Sequence, residues 1–539
     1  MFKKNIVFLI VSILLVSMVG TLGGATNPKY GGTLKYAVQN EPRSLFPANM
    51  LGAGEGDVFT YAYEGLVQFN EEGKIVSQLA KDWDVSEDGT VYTFHLHEDV
   101  EFHDGTPFNA EAVKFVFEES IKKEYLISSL LSNLERINVV NNYTVELVYG
   151  GPVAGALSNL AYFSMAMWSP TAYKENGKEW MATNLVGTGP FEFVEWKHGD
   201  YVKFEKNENY WQSGLPYLDA VMIEIVPEPA NRVMMLQKGE IHRTKGIPPQ
   251  YLPILEKDSN IKLKYQLDTS QTYLAFNTTV HPFDNPQVRR AIAYAIDKKG
   301  IIDSLLGDLA QLPRAPICTI GMVGCRDVSE PGDETINPYN PEKAKKLLKF
   351  GGFEDRDDDG VLEDPKGSDF KFTLWVPTER VAQSTSVAQY VQKNLEDIGV
   401  QVKLRLWEYG AMSSMVGVGP EKAQYSAFLR GWGSPTNDVD EIMMNLFHSR
   451  SWKPQGSNRM FYGNLEVDRL AELTHVEANP EKRNEIAKQV LKIVVEDAPI
   501  FPLHSLKKVV AETTNVENSK VLPIFGQNPA NFAWLETGE

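Results

Sequence analysis

An α/β fold with mixed sheets and no internal repeat is what this sequence predicts. Three observations predict it. The stretch FKFTLWV, SVAQYVQKNLEDIGV, QVKLRLW reads strand, helix, strand. Period-two alternation recurs elsewhere, as in TVYTFHLH. Asn109 stands before NAEAVKFVFEESI-type helical spacing, with Val113, Phe117 and Ile121 on one side and acids in the first turn. The length, 539 residues, corresponds at about 150 residues per domain to three or more compact units or two large lobes with insertions. With 43% apolar residues, 26 Phe, 22 Tyr and 10 Trp, cores are easily built and disorder is excluded. Two Cys exclude a disulfide-stapled mini-fold. A net charge of −18 and the lack of any Lys/Arg run exclude a nucleic-acid role.

Residues 1–25 read as a signal peptide. Lys3 and Lys4 precede an apolar run from Ile6 to Val19, broken only by Ser12 and Ser17, and Gly23-Gly24-Ala25 supplies the small residues for cleavage. The run is shorter than the ~20 residues that span a bilayer; an uncleaved anchor is the competing reading. No Cys lies near the cleavage site, so lipid attachment is not expected. The mature product is expected to be soluble and exported, on the periplasmic or extracellular side of the membrane. Strands are then expected at TLKYAV and on both sides of Glu87-Asp88-Gly89, followed by the helix after Asn109. INVVNNYTVELVY reads as one strand ending at Gly150-Gly151-Pro152, and FEFVEW with DYVKFEKN as a hairpin turning near His198-Gly199. Gln287 to Leu306 reads as one helix with Val288, Ala291, Ile292, Ala295 and Ile296 inward, and Gly399 ends the helix before QVKLRLW.

Catalytic patterns are missing: there is no G-x-S-x-G, H-E-x-x-H, Cys-x-x-Cys or P-loop. Gly52, Gly54 and Gly56 resemble a phosphate turn, but Asp57 departs from the dinucleotide fingerprint. His95 and His97 share a strand face among carboxylates, which favours hydrogen-bonded histidines over a metal pair. An acid pair of glycosidase type has no positive support. In an oxidising compartment Cys318 and Cys325, seven apart in a Pro- and Gly-bearing stretch, are expected to form a local disulfide rather than two free thiols. Asp355, Asp357, Asp359 and Gly360 have the D-x-D-x-D-G spacing of a calcium loop, with Glu363 at position nine. Position twelve is Lys366, preceded by Pro365, so this is not an EF-hand; a weaker structural calcium site and a solvated acidic turn are the two readings. No other cofactor is required.

Eight segments, in order, resemble the family 5 extracellular solute-binding proteins, the peptide- and nickel-binding group serving ATP-driven (ABC) importers. They include GGTLKYAVQNEPRSLFPA, LAKDWDVSEDGTVYTFHLHEDVEFHDGTPFNAEAVKF, GTGPFEFVEW, YLAFNTTVHPFDNPQVRRAIAYAID and RGWGSPTNDVDEIMMNLF. One departure is His97, where many relatives carry a basic residue. The resemblance implies a two-lobe periplasmic-binding-protein-like fold (class II, large type) with an extra inserted α/β domain. Lobe one takes residues 30–68, 187–272 and 506–539, the inserted domain 69–186 and lobe two 273–505. It further implies a monomer that closes on a small ligand and is read in that form by permease subunits, with no covalent chemistry.

For the ligand, the resemblance points to Gly431-Trp432-Gly433-Ser434-Pro435, where peptide-binding relatives place an Asp that pairs with the peptide ammonium. Pro435 occupies that slot, and Asp438 or Asp440 could reach back to replace it. Arg380 matches the Arg that clamps a peptide carboxylate in dipeptide-type relatives; a surface Arg paired with Glu379 is the bland reading. Trp432 is expected to lie along the ligand, with Trp407 and Tyr409 facing the same cleft and Gly431 and Ser434 beside it. A di- or oligopeptide is the expected ligand. An oligosaccharide stacked on tryptophan is the alternative, with nickel, for which His448 falls off register, a third. An exported hydrolase is the only enzyme reading.

Overall fold

The computed structural model describes residues 27–50, 56–319, 322–325, 336–378, 381–434, 436–524 and 530–536. The expected signal peptide therefore lies outside the described residues. Eleven strands form one long mixed sheet, ten of them side by side and the short Ala310–Gln311 paired to Ile500–Thr513 off that path. From one edge the order is Gln401–Trp407, Lys371–Pro377, Ala427–Trp432, Ile261–Phe276, Ile500–Thr513, Arg243–Lys245, Thr33–Val38, Ala220–Ile225, Tyr201–Lys206 and Phe191–Lys197. Parallel pairs lie in both halves of the sheet, among them Thr33–Val38 beside Ala220–Ile225 and Lys371–Pro377 beside Gln401–Trp407 at one edge. Buried parallel strands of this kind need helices over their faces. The helix Ser384–Glu396 supplies the crossover between the second pair, burying Val387, Ala388, Val391 and Leu395.

The two central strands determine the architecture. Ile261–Phe276 and Ile500–Thr513 run antiparallel along one another, from Ile261 opposite Thr513 to Ala275 opposite Ile500. Residues 261–267 pair with 507–513, and register shifts then fall between Leu267 and Gln271 and between Thr272 and Tyr273. Beyond the shifts the same strands join different neighbours: Arg243–Lys245 on one side, Ala427–Trp432 on the other. Cores follow this division. One contains residues of 34–223 and 516–535, a second gathers around Val233, Leu236 and Leu255, and two more pack residues of 273–503 on opposite faces of the sheet. Two lobes result, joined by a bulged pair of strands.

A separate four-stranded antiparallel sheet, in the order Ala80–Val85, Val91–Leu96, Thr144–Tyr149, Leu134–Asn141, packs with the helix Ala110–Ser120. Asn109 caps that helix, its side chain accepting from the Ala112 N–H at 3.0 Å. Two expected elements differ. INVVNNYTVELVY is not one strand: Asn142 and Tyr143 turn it into a hairpin, with Tyr143 N–H donating to Asn141 Oδ1. The single helix over 287–306 is also divided. Pro286–Ala295 ends at Ile296, which is extended (φ −95°, ψ 120°), and Asp297 caps a new turn by accepting from Gly300 N–H at 2.9 Å. Its own N–H donates to Asn394. Apolar spacing continued through the break because Ile296 and Ile301 are both wholly buried. The hairpin at 191–206 and the left-handed Gly399 (φ 82°) stand as expected.

Candidate ligand-binding site

On the strand Ala427–Trp432, residues 428, 430 and 432 share one face by the two-residue period of a strand. In register, Arg430 lies opposite Tyr273, Gly431 opposite Thr272 and Trp432 opposite Gln271. The next residue, Gly433, abuts the bulge between the lobes: a Cβ there would sit 2.5 Å from Ser270 Oγ. Trp432 thus projects where one lobe ends and the connection begins. Its indole N–H is buried and has no acceptor among the described residues, and the same holds for Trp407. Trp407 closes the strand Gln401–Trp407, packs on Trp375 at 4.8 Å between ring centres, and lies 4.1 Å beneath the Arg405 guanidinium. Tyr409 opens the helix Tyr409–Met415, its ring 5.5 Å from the Arg430 guanidinium. Trp407 and Trp432 both pack on the core that contains Tyr273, Trp375 and Phe428.

Ser434 is wholly buried, donating to Glu441 Oε2 at 2.6 Å and accepting from the Asp438 N–H at 3.3 Å. Arg380 and Pro435 lie outside the described residues. The two acids that could have replaced the missing ammonium partner are already engaged. Asp438 accepts from Arg483 Nη1 at 3.0 Å and Nη2 at 2.5 Å, and from Ser158 Oγ at 2.7 Å. Asp440 Oδ2 lies 2.8 Å from His475 Nδ1, and this hydrogen bond raises the His475 pKa. Ser158 lies on the helix Ala156–Leu160, whose Ala156 and Leu160 belong to the core of 34–223, whereas Asp438 and Arg483 sit on the other lobe, so this network joins the two. Ala154 N–H adds a bond to the His475 carbonyl.

Two cavities flank that junction. One, of about 690 Å³, is lined by Tyr92, Leu157, Ser158, Val323 and Arg483. The other, about 300 Å³, lies between Asn133 and Asn159 on one side and Asp440, Glu441 and His475 on the other. Burial pushes the Glu441 carboxyl up to about 8, against the lowering effect of the Ser434 bond, with Asp438 and Asp440 adding to the rise.

Elsewhere, Cys318 and Cys325 form a disulfide with their Cα atoms 5.5 Å apart. Carboxylate oxygens of Asp355, Asp357, Asp359 and Glu363 all lie within 4.8 Å of one another. Glu363 is buried and accepts from Arg356 N–H, and Asp355 from Gly360 N–H. His95 faces Asp84 at 3.3 Å, whereas His97 stacks on Trp211. His448 is occupied by Glu472 and by the Arg450 N–H. Sequence reading missed Arg430, Arg459 and Arg405. The first was within reach, because it stands two residues before Trp432 on the same strand face; Arg459 arrives from a loop and carried no periodic signal.

Residues 74–454 match the model of "Bacterial extracellular solute-binding proteins, family 5 Middle". The chain belongs to this family. It is 31% identical over 470 residues to the glutathione-binding protein GsiB of Shigella flexneri, covering 86% of this chain and 87% of that one. Among solved structures, the oligopeptide-binding protein AppA of Bacillus subtilis, in complex with a nonapeptide, matches at a TM-score of 0.73 and 26% identity, over 95% of this chain and 100% of that one. DppA of Helicobacter pylori with the peptide STSA matches at 0.71 and 27%, over 94% and 99%. NikZ of Campylobacter jejuni with Ni(L-His) matches at 0.73 and 27%, over 93% and 97%. The two-lobe fold is therefore that of a solute-binding protein. Family 5 is an extracellular binding family, and among the described residues no helix is long and apolar enough to cross a membrane.

Proposed function

We propose that the protein captures a short peptide, of glutathione size or longer, between its lobes and presents the closed form to the permease of an ABC importer. The observation that carries this reading is the position of Trp432, at the lobe boundary on a strand whose Gly433 touches the connecting bulge. Trp432, Trp407 and Tyr409 line the ligand's length, Gly431 leaves its backbone room, Ser434 holds the turn beneath, and Arg380 receives a carboxylate. No bond is made or broken: contacts to both lobes exist only when they are shut, so binding shifts the population toward closure. Native mass spectrometry of the purified protein, followed by calorimetric titration, tests this. Reduced glutathione or a mixed di- to tetrapeptide set should give heat and β-linked oligosaccharides none. The reverse result, or turnover of the ligand, would overturn it.

The loop 355–363 is proposed to hold a hard divalent cation such as calcium, because three aspartates and one buried glutamate present oxygens to a common point. The ion would tie down the connection between the helix Pro341–Phe350 and the strand Lys371–Pro377. Calcium added after EDTA should raise the melting temperature; no shift would remove the ion from the account.

A further inference from the structure

We infer that Arg430 and Arg459, with Lys453 beside them, form a buried subsite in one lobe for a carboxylate of the captured ligand. This deepens the peptide reading and rests on it. Arg430 is 7% exposed and Arg459 9%, yet among the described residues neither has a carboxylate within ion-pairing distance. The Nε–H of each is buried without an acceptor. Arg459 keeps one contact of its own, Nη1 to the Ser457 carbonyl at 3.1 Å. Arg430 reaches only the face of Tyr409.

Such a pair is costly by itself. A guanidinium taken out of water without a counter-ion loses hydration that a ring face and one carbonyl do not replace. The charges also act on one another. Burial and then Arg430 lower the Arg459 pKa to about 10, and burial, Arg459 and Arg430 lower that of Lys453. Acids outnumber bases in this chain by 71 to 53, so a structural cation would readily have found a partner, as Arg483 does in Asp438 and Arg243 in Glu512. Within this unpaired cluster, Arg430 instead lies two residues from Trp432 and on the same strand face.

The scaffold around it is firm. Arg430 is clamped across from Tyr273 in the sheet. The Arg459 backbone is fixed by the Tyr425 hydroxyl, which donates to its carbonyl at 2.6 Å, and by Met460, whose carbonyl accepts from Thr278 N–H. Two forks of donors held in place suit a planar oxyanion, because each can give parallel hydrogen bonds to it. A peptide C-terminus has that chemistry, as does the glycyl end of glutathione.

The test uses the full-length protein and matched tripeptides with a free or an amidated C-terminus. Wild type should bind the acid on the order of 100-fold more tightly than the amide. Arg430→Met and Arg459→Met should each weaken the acid and bring the ratio close to one. Ligand-free melting of both variants should be unchanged or higher, since an uncompensated charge is removed. Acid binding at wild-type affinity in both variants, or a lower melting temperature with the acid-to-amide ratio intact, would overturn the subsite and leave the peptide reading standing. If wild type binds no peptide, the peptide reading fails, and inorganic phosphate at constant ionic strength then reads the cluster alone. Protection from melting that the Arg430→Met and Arg459→Met variants lose keeps the anion site; no protection removes it too.

Discussion

Glu64 sits almost wholly buried, and three donors converge on it: Tyr210 Oη at 2.8 Å, Thr188 Oγ1 at 3.0 Å and Trp211 Nε1 at 3.1 Å. Burial outweighs these bonds and lifts its pKa to about 7. Because the folded value lies above the ordinary 4.5, the folded chain holds a proton that the unfolded chain has lost between those values. The stability it contributes is complete below pH 4.5 and disappears as the pH climbs through about 7. Glu64→Gln cannot ionise, so its melting temperature relative to wild type should rise from pH 5 to about pH 7 and level off above it, as thermal scans in matched buffers would show. A parallel pair of curves would contradict this. Close approach is a second residue-scale constraint. A Cβ on Gly187 would lie 2.1 Å from the Ala62 carbonyl oxygen, so Gly187→Ala should cost at least ~1–3 kcal/mol as overpacking does, read as a lower urea midpoint. Gly187 stood in a recognisable segment, GTGPFEFVEW, so its importance was legible. The reason for it, the carbonyl of a helix over a hundred residues earlier, was not.

Several helices begin in the same way, and the signal is written in the chain. Asn285, Asn340 and Asn479 each precede a Pro, and each side chain accepts from a backbone N–H in the first turn. The Asn satisfies a donor that the helix leaves open, while Pro needs none there. Asn340→Ala should cost about 1 kcal/mol, measured by chemical denaturation, with ligand affinity unchanged because the capped helix packs through Ala344 and Leu348 in a different core from Trp432. Helix beginnings and strand periods were thus open to sequence reading. What escaped was punctuation by residues that also fit an uninterrupted pattern. Ile296 suits either a helix face or an extended link, and only the competing cap of Asp297 and the Asn394 contact decide between them. Asn142-Tyr143 likewise turned a strand into a hairpin without a glycine.

At the scale of the whole molecule, the two lobes meet through Ser158, Asp438 and Arg483. Removal of the Ser158 hydroxyl leaves Asp438 with its arginine but severs the bond across the lobes. A hydrogen bond to a charged group contributes roughly 1.5–3 kcal/mol, so Ser158→Ala should weaken ligand binding by on the order of 10-fold or more. Small-angle scattering should show a larger radius of gyration at subsaturating ligand, with each lobe as stable as before. Unchanged affinity and scattering would mean that the contact is incidental to closure. The lobes themselves were legible through the order of the resembling segments. The latch was not, since Ser158 and Asp438 are 280 residues apart and neither has a spacing that announces the other.

The two strands that carry the connection, 261–276 and 500–513, lie side by side and hydrogen-bond to each other on both sides of the bulge. A ribbon of two bonded strands flexes out of its plane far more easily than it shears within it. Such a connection favours folding the halves together like the leaves of a door on one pin over swivelling them as a ball in a socket. Every guest, short or long, would then be brought to the same final alignment of the outer surface, and a membrane docking partner need recognise only one.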